Sequence, residues 1–248
     1  MLDIERAVCG CDYGGTGWTT RHEAERVAQL LRLDAGTRLL DLGAGSGWPG
    51  LYLARITGCD VALVDIPLEA LRIAATRVGI EHLAGECWLM VADAAALPLR
   101  SAAFDAIGHS DVLCCLEAKA AVLRECRRVI RAGGRMAFSV ISIAPGLCAA
   151  DYRRALEAGP PFMEAGAGYP AMLERTGWTM SRHIDLTPEY AQAARHMLRE
   201  EEARAEALTR LLGEAEFSDK LIRGRSTVQA LDRGLLRREL IAARPAVR

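Results

Sequence analysis

Three carboxylates stand near the ends of three consecutive apolar runs in this sequence: Asp41, Asp65 and Asp93. The first leads into a glycine turn, residues 43–47, whose backbone is open to direct contact with a ligand because glycine has no side chain. A carboxylate there repels a pyrophosphate but attracts a cation, and carboxylates accept hydrogen bonds from hydroxyl and amino groups. The three positions therefore indicate a site for a nucleoside ligand with positive charge.

A second interpretation of the same turn remains open. Gly45, Gly47 and Gly50 match the Gly-x-Gly-x-x-Gly fingerprint of dinucleotide-binding proteins. That fingerprint places its first glycine at the strand end, whereas here the apolar run ends earlier, at residues 41–42. Asp65 does not decide between the two ligands, since a carboxylate at the end of the second strand also suits the ribose of NAD. An NAD(P)-dependent oxidoreductase therefore stays an alternative.

The elements that would position these residues alternate between strands and helices. Apolar runs predict strands over 39–42, 61–65, 87–91, 104–110 and 135–142, and helices over 21–33, 48–57, 67–78 and 117–130. Thr20 and Glu23 form a capping box at the start of the first helix. This alternation predicts a doubly wound α/β sheet, in which the carboxyl ends of the parallel strands share one edge and bring the three acids together.

The motif series resembles a known family. Residues 41–47, Asp65, residues 92–98, 104–105 and 131–134 are similar in order and spacing to class I S-adenosylmethionine-dependent methyltransferases, over about residues 20–142. The similarity is greatest to the subgroup that includes the ubiquinone and menaquinone biosynthesis methyltransferases. It implies a mostly parallel, seven-stranded Rossmann-like sheet with a helical cap after the fifth strand. It also implies S-adenosylmethionine as the cofactor.

The resemblance assigns roles to individual residues. The glycine turn would lie under the methionine part, Asp65 would hold the ribose, and Asp93 and Ala94 would hold the adenine. The full set of expected cofactor-binding residues is Asp41, Gly43, Ala44, Gly45, Gly47, Asp65, Ile66, Asp93, Ala94, His109, Ser110 and Tyr13.

Methyl transfer is an in-line displacement, so the protein mainly aligns the reacting groups. A general base is needed only when the acceptor arrives protonated. His109 is the expected catalytic residue because it lies at the ligand edge of the sheet; His183, His196 and Tyr13 are further candidates. Many small-molecule relatives carry a histidine shortly after the fourth strand, where this chain has Cys114 and Cys115, which argues against a mechanism through that histidine.

The expected layout is a single methyltransferase domain. Residues 1–34 form an N-terminal lid and helix, residues 35–143 the cofactor-binding core, residues 144–235 a substrate cap with the sixth strand, and residues 236–248 the last strand. Within the cap, Thr187 begins a helix that runs to about Leu212. The last strand is expected at the sheet edge. The lid is expected over residues 9–20, with Tyr13 and Trp18 excluding water and glycines at 10, 14, 15 and 17 allowing movement.

Composition limits the partners. The chain has 248 residues, 51% of them apolar, and a formal charge of −1, so no long-range attraction to nucleic acid or to an anionic membrane is expected. Its apolar runs fall short of the ~18 residues of a membrane span, and its first residues lack an export signal. The eight cysteines lack zinc-site spacing. A cytoplasmic protein without a metal is expected, with a small-molecule acceptor. A protein that binds S-adenosylmethionine without transferring methyl is the other alternative.

Overall fold

A computed structural model of the chain describes residues 1–14, 17–166 and 168–246. Its strands are β1 (Arg38–Leu42), β2 (Asp60–Asp65), β3 (Cys87–Val91), β4 (Phe104–Ser110), β5 (Ile130–Ile143), β6 (Trp178–Asp185) and β7 (Leu236–Pro245). The helices in these ranges are α1 (Leu2–Cys9), α2 (Arg21–Leu31), α3 (Gly50–Thr57), α4 (Leu68–Val78), α5 (Lys119–Val129), α6 (Ala149–Ala158), α7 (Gly168–Arg175), α8 (Thr187–Ala203), α9 (Ala205–Leu212) and α10 (Glu214–Asp232).

The strands form one seven-stranded sheet in the order β3-β2-β1-β4-β5-β7-β6. Strands β1 to β5 pair in parallel, and β7 runs antiparallel to both β5 and β6. This arrangement confirms the predicted fold class. The sheet edge was wrongly predicted, because β7 lies inside the sheet and β6 forms the edge. The side chains show why: β7 is buried along most of its length, whereas β6 is largely exposed.

Each face of the sheet has its own apolar core. On one face, Leu39 and Leu63 pack with residues of α2 and α3. On the other, Leu40, Ile107 and Phe138 pack with residues of α5 and α7. Successive residues of β1 therefore point to opposite faces, as the period of a strand requires, and both faces are apolar because both are covered by helices.

The predicted core elements agree with the structure to within a few residues, with one clear difference at β5. The prediction began this strand at Arg135, but it begins at Ile130. Phe104 pairs with Ile130, Ala106 pairs with Arg135, and the register shifts between these pairs. The four residues Arg131–Gly134 therefore bulge out of the strand instead of ending the preceding helix.

The largest differences lie outside the core. Helix α1 was not predicted; it buries Ile4 against Leu208 and Phe217. The expected helix over 187–212 is divided at Arg204 into α8 and α9. Helix α10 was not predicted either. Few of its side chains are buried, so its apolar residues do not recur at the helical spacing from which a packed helix is predicted. None of the helices in the described ranges combines the length and apolar character needed to cross a bilayer.

Candidate functional site

The glycine turn follows β1 and folds back over the end of β2. The N–H groups of Gly43 and Ala44 both donate to the carbonyl of Val64, at 2.8 and 3.2 Å. Gly43 has a φ of 66°, and a Cβ at this position would overlap Cγ2 of Val112. Only glycine therefore allows the residues that follow β4 to pack this closely against the turn.

Asp41 connects the turn to the start of α3. Its Oδ2 accepts a hydrogen bond of 3.0 Å from the N–H of Gly50, and a Cβ at residue 50 would overlap the carboxylate. The carboxyl group is almost completely buried. Burial raises its pKa to about 7, and the nearby charge of Asp65 adds to the rise, while the Gly50 N–H opposes it.

Asp65, the last residue of β2, holds the middle of the turn. One carboxylate oxygen accepts from the N–H of Gly45 and the other from the N–H of Ile66, both at 2.7 Å. A carboxylate offers about four lone-pair sites. Asp65 therefore fixes the turn and still has capacity to accept hydrogen bonds from a ligand.

Asp93 and Ala94 lie at the same edge of the sheet, beyond β3. Asp65 pairs with Val91, and the N–H of Ala92 donates to the carbonyl of Asp65 at 3.1 Å. The Asp93 carboxylate accepts from the N–H of Ala95 at 2.8 Å. The residues expected at the ribose and at the adenine are therefore on neighbouring strands.

A cavity of about 320 Å³ opens above the glycine turn. Five parts of the chain line it: residues 17–19, residues 41–49, the end of β4 with the turn after it, one residue of β5, and residues 160–161 of the cap. The lining residues are Gly17, Trp18, Thr19, Asp41, Gly43, Ala44, Gly45, Ser46, Trp48, Pro49, Ser110, Asp111, Cys115, Ile141, Pro160 and Pro161. Within the described residues the buried hydroxyl of Ser46 has no hydrogen-bond partner. Ser110 lines this cavity together with Gly43 and Gly45, so it lies beside the expected methionine site.

His109 is placed differently from the other expected site residues. Its side chain is 3% exposed, its ring stacks on Phe138 with centroids 4.7 Å apart, and it does not line the cavity. Neither ring nitrogen has a partner in the part of the chain that the structure describes. Burial lowers the pKa of this histidine to about 3, so the ring is neutral near pH 7.

Tyr13 and Trp18, the two aromatic residues of the expected lid, occupy different positions relative to the cavity. The Tyr13 ring packs against Trp48 and its hydroxyl donates to Glu81, so this side chain lies in the core outside the cavity wall. Trp18 does line the cavity and packs edge-on against Tyr190 of α8, with ring centroids 5.0 Å apart. Residues 15 and 16, which belong to the expected lid, lie outside the described residues.

Arg238 of β7 was not anticipated from the sequence. Its side chain is 1% exposed and contacts four others. Nε donates to both oxygens of Asp111 at 3.0 Å, and the two terminal nitrogens donate to Glu23 at 2.7 and 2.8 Å. Nη2 also donates to the hydroxyls of Ser139 (3.0 Å) and Thr19 (3.3 Å). We call these five residues the Arg238 cluster.

The capping box at the start of α2 explains why the Arg238 cluster was not predicted from the sequence. Oγ1 of Thr20 accepts from the N–H of Glu23 at 3.2 Å, as predicted. The Glu23 carboxylate, however, binds Arg238 rather than the N–H of Thr20. The available signal was the alternation of the last strand, which places Arg238 on the same face as the apolar residues Leu236 and Leu240.

Cys115 is the thiol nearest the cavity. It follows the turn after β4, lines the cavity and is exposed, whereas Cys114 is buried. A hydrogen bond from the Cys114 thiol and the positive charge of Lys119 lower the pKa of Cys115 to about 7, against the effects of burial and of Asp111. A substantial fraction of this thiol is therefore ionised near neutral pH.

The site residues fit a cationic nucleoside ligand better than a dinucleotide. Within the described chain, the charged side chains that line the cavity are the carboxylates Asp41 and Asp111, and no lysine or arginine is among the lining residues. Asp111 is already paired with Arg238, so a diphosphate would face the carboxylate of Asp41 without a cation among the lining residues, whereas ammonium and sulfonium groups would be attracted to it. The observed residues are therefore compatible with S-adenosylmethionine.

A parallel sheet with a ligand cavity beyond the carboxyl ends of β1 and β4 defines a Rossmann-like nucleoside-binding protein. Residues 40–138 match the family model described as "Methyltransferase domain". This segment is therefore similar to the methyltransferase domains that the family model describes.

Two curated relatives are similar in sequence. "Methyltransferase GfsG" of Streptomyces halstedii is 30% identical over 176 residues, which are 66% of this chain and 61% of the relative. "27-O-demethylrifamycin SV methyltransferase" of Amycolatopsis mediterranei is 31% identical over 142 residues, 56% of this chain and 52% of the relative. The chain thus spans less than two thirds of the length of these relatives.

Two solved structures share the fold. A putative sarcosine dimethylglycine methyltransferase from Galdieria sulphuraria superposes with a TM-score of 0.81 at 17% identity, covering 90% of this chain and 82% of that chain. A Haemonchus contortus phosphoethanolamine N-methyltransferase, determined with S-adenosylhomocysteine, superposes with a TM-score of 0.84 at 15% identity, covering 99% and 57%. The relatives are methyltransferases of several kinds, not specifically of ubiquinone or menaquinone biosynthesis.

Proposed function

We propose that the whole chain is an S-adenosylmethionine-dependent methyltransferase that acts on a small, partly apolar metabolite. The observation that carries the proposal is the cavity itself, which joins the glycine turn to the residues after β4 and to the cap in one space. A cofactor on the turn and an acceptor under the cap would meet there. S-adenosylmethionine supplies a methyl group already activated by its sulfonium, so alignment of the acceptor is the main task left to the protein.

The proposed cofactor contacts are those expected from the sequence. Asp65 keeps free lone pairs at the end of β2 for ribose hydroxyls, and Asp93 and Ala94 follow β3 on the neighbouring strand. Asp41 places a carboxyl group with a pKa of about 7 in the cavity wall. A cation bound nearby would favour its ionised form, so cofactor binding and ionisation of Asp41 would support each other.

The acceptor is proposed from the other cavity walls. Trp18, Ile141, Pro160 and Pro161 supply apolar surface, while both oxygens of Asp111 are already bound by Arg238. These walls favour a molecule with an apolar body and few charges. Membership of the subgroup that includes the ubiquinone and menaquinone methyltransferases stays a prediction. The relatives' names cover both O- and N-methyltransferases.

The proposed layout follows the expected one: an N-terminal segment over 1–34, a core over 35–143, a cap over 144–235 and the last strand over 236–248. Residues 247 and 248 lie outside the described residues. His109 stays a candidate for the catalytic base. In its buried, neutral state it would accept a proton only if the acceptor or a chain of water molecules reached its ring.

Calorimetry with S-adenosylhomocysteine and with NAD tests the ligand. Micromolar binding of S-adenosylhomocysteine with little affinity for NAD supports the proposal, and tighter binding of NAD would replace it with the oxidoreductase alternative. A turnover assay for S-adenosylhomocysteine formation with a metabolite library then tests catalysis. A protein that binds the cofactor and methylates none of a chemically broad library is the non-catalytic alternative.

A further inference from the structure

The Arg238 cluster joins parts of the chain that are far apart in sequence. Arg238 lies 127 residues after Asp111 and 215 residues after Glu23. Thr19 precedes α2, Glu23 is in its first turn, Asp111 follows β4, and Ser139 is in β5. The guanidinium is the group that all four other side chains share, so it determines how these elements meet beside the cavity.

Arg238 holds the turn after β4 through Asp111. Both carboxylate oxygens of Asp111 accept from Arg238, and the Asp111 N–H donates to the carbonyl (2.9 Å) and the hydroxyl (3.2 Å) of Ser139. The backbone of Asp111 has a φ of 56°, which few residues other than glycine adopt. Asp111 therefore serves here as a fixed, charged part of the cavity wall.

The same guanidinium holds a second segment of the cavity wall through Thr19. Oγ1 of Thr19 accepts from Nη2 of Arg238, and the carbonyl of Thr19 accepts from the indole N–H of Trp48 at 2.8 Å. Trp18, the preceding residue, lines the cavity. Two segments of the cavity wall, around Thr19 and around Asp111, are therefore held by one side chain that itself does not line the cavity.

We propose that Arg238 is a positioning residue of this site: it sets the acceptor side of the cavity by fixing Asp111 and the residues around Thr19. This inference rests on the proposed function, since it concerns where an acceptor would be held. It goes beyond the proposed function because none of the cofactor-binding residues expected from the sequence belongs to the Arg238 cluster. Arg238 acts through the two walls, so its loss would alter the cavity much more than it alters cofactor affinity.

Variants of the Arg238 cluster can separate an effect on the position of the cavity wall from an effect on the stability of the fold. Arg238→Met alone would leave Glu23 and Asp111 buried without a cation, which destabilises a fold strongly. The double variant Arg238→Met with Glu23→Leu removes the guanidinium and the more buried carboxylate together, and such apolar replacements of buried ion pairs are often tolerated. Arg238→Lys keeps the charge but loses the forked geometry. Arg237→Lys is the matched control, since Arg237 is the adjacent residue, is exposed, and points to the opposite face of β7 from the buried Arg238.

Two readouts report directly on the walls. Amide hydrogen exchange of residues 17–20 and 110–115 measures how firmly these segments are held. The pH profile of Cys115 alkylation by iodoacetamide measures the charge of Asp111, which opposes ionisation of that thiol. In a folded double variant, we expect amide exchange in both segments to be about tenfold faster, as for coupled neighbours. We also expect the pKa of Cys115 to rise, because Asp111 has lost its counter-charge. The affinity for S-adenosylhomocysteine should change by about threefold at most, equivalent to a small coupling.

Thermal unfolding and circular dichroism establish that each variant is folded, and Arg238→Lys provides the same readouts if the double variant is not. Exchange and Cys115 profiles that match those of Arg237→Lys in a folded variant would overturn the proposal and leave Arg238 a stabilising residue only. Failure of the unchanged protein to bind S-adenosylhomocysteine would contradict the proposed function instead. The exchange and alkylation data need no ligand, so the two failures are distinguishable.

Discussion

At the scale of single residues, the carboxylates of this site perform two tasks at once. Asp65 accepts from two backbone N–H groups, and Asp41 accepts from one. Each therefore shapes the backbone on which a ligand would lie, in addition to any contact with that ligand. A substitution at either position would affect both the backbone and the contact with the ligand, so a control variant must separate the two effects.

For Asp65, we expect Asp65→Ala to weaken S-adenosylhomocysteine binding by about 2–3 kcal/mol, the range for a hydrogen bond to a charged group. Calorimetry measures the change. Asp60→Ala is the control: Asp60 begins the same strand, and its carboxylate likewise accepts from a backbone N–H, that of Glu86. Equal affinities of the folded Asp65 and Asp60 variants would assign Asp65 a structural role alone.

Asp41 predicts a pH dependence of stability. Its pKa of about 7 in the folded protein lies above the ordinary value, so the folded state binds more protons than the unfolded state between about pH 4 and 7. This group therefore lowers the free energy of unfolding as the pH rises through that window. The full effect is on the order of 4 kcal/mol, since one pKa unit corresponds to about 1.4 kcal/mol.

Asp41→Asn keeps an oxygen for the Gly50 N–H but does not titrate. We expect the stability of the variant relative to the unchanged protein to increase from pH 5 to pH 8, measured by urea unfolding in the absence of ligand. A difference that does not vary with pH would place the pKa of Asp41 near its ordinary value.

At the scale of elements, the glycine turn and the turn after β4 are in direct contact. Gly43 has a positive φ, and Val112 occupies the space where its side chain would be. The closeness of the two turns sets the distance between the cofactor side and the acceptor side of the cavity. A side chain at residue 43 would have to push them apart.

We expect Gly43→Ala to lose stability and to weaken S-adenosylhomocysteine binding. The strained backbone costs about 1–2 kcal/mol, and the overlap with Val112 adds about 1–3 kcal/mol. Gly146→Ala isolates the first effect, since Gly146 also has a positive φ, of 76°, but open space around the position of a Cβ. Unfolding curves that show the same loss for both variants would mean that the contact with Val112 adjusts freely.

At the scale of the whole molecule, the N-terminal segment bridges core and cap. Ile4 packs against α9 and α10, Tyr13 packs against Trp48, and Trp18 reaches the cavity. A carboxylate in α1, Glu5, accepts from the N–H groups of Tyr13 and Gly14 and so orders this part of the segment. Of the two aromatic residues expected in the lid, Trp18 lines the cavity and Tyr13 does not, so closure over a bound cofactor stays a prediction for the residues around Trp18.

Limited digestion with chymotrypsin tests this closure. We expect S-adenosylhomocysteine to slow cleavage after Trp18, because a ligand in the cavity would stabilise the segment that covers it. Cleavage after the exposed Leu211, at the end of α9, should stay unchanged and serves as the internal control. Cleavage after Trp18 at the same rate with and without the ligand would contradict the lid.

The sequence predicted those features that depend on local, periodic patterns of residues. The strands of the core, the glycine turn and the acids at the strand ends followed from apolar runs and turn residues, and the sheet order confirms the fold they implied. It did not predict α10, whose exposed faces carry little pattern, or the partner of Glu23. An arginine 215 residues away leaves no local signal beside Glu23, so a contact of this kind emerges only from the assembled fold.

The long separation within the Arg238 cluster has a consequence for synthesis of the chain. Glu23 and Asp111 leave the ribosome long before their shared cation, which follows them by 215 and 127 residues. Until β7 has been translated and inserted between β5 and β6, both carboxylates lack their counter-charge and remain hydrated, because burying them alone is costly. The segments of the cavity wall around Thr19 and Asp111 can therefore reach their final positions only after the seventh strand has entered the sheet.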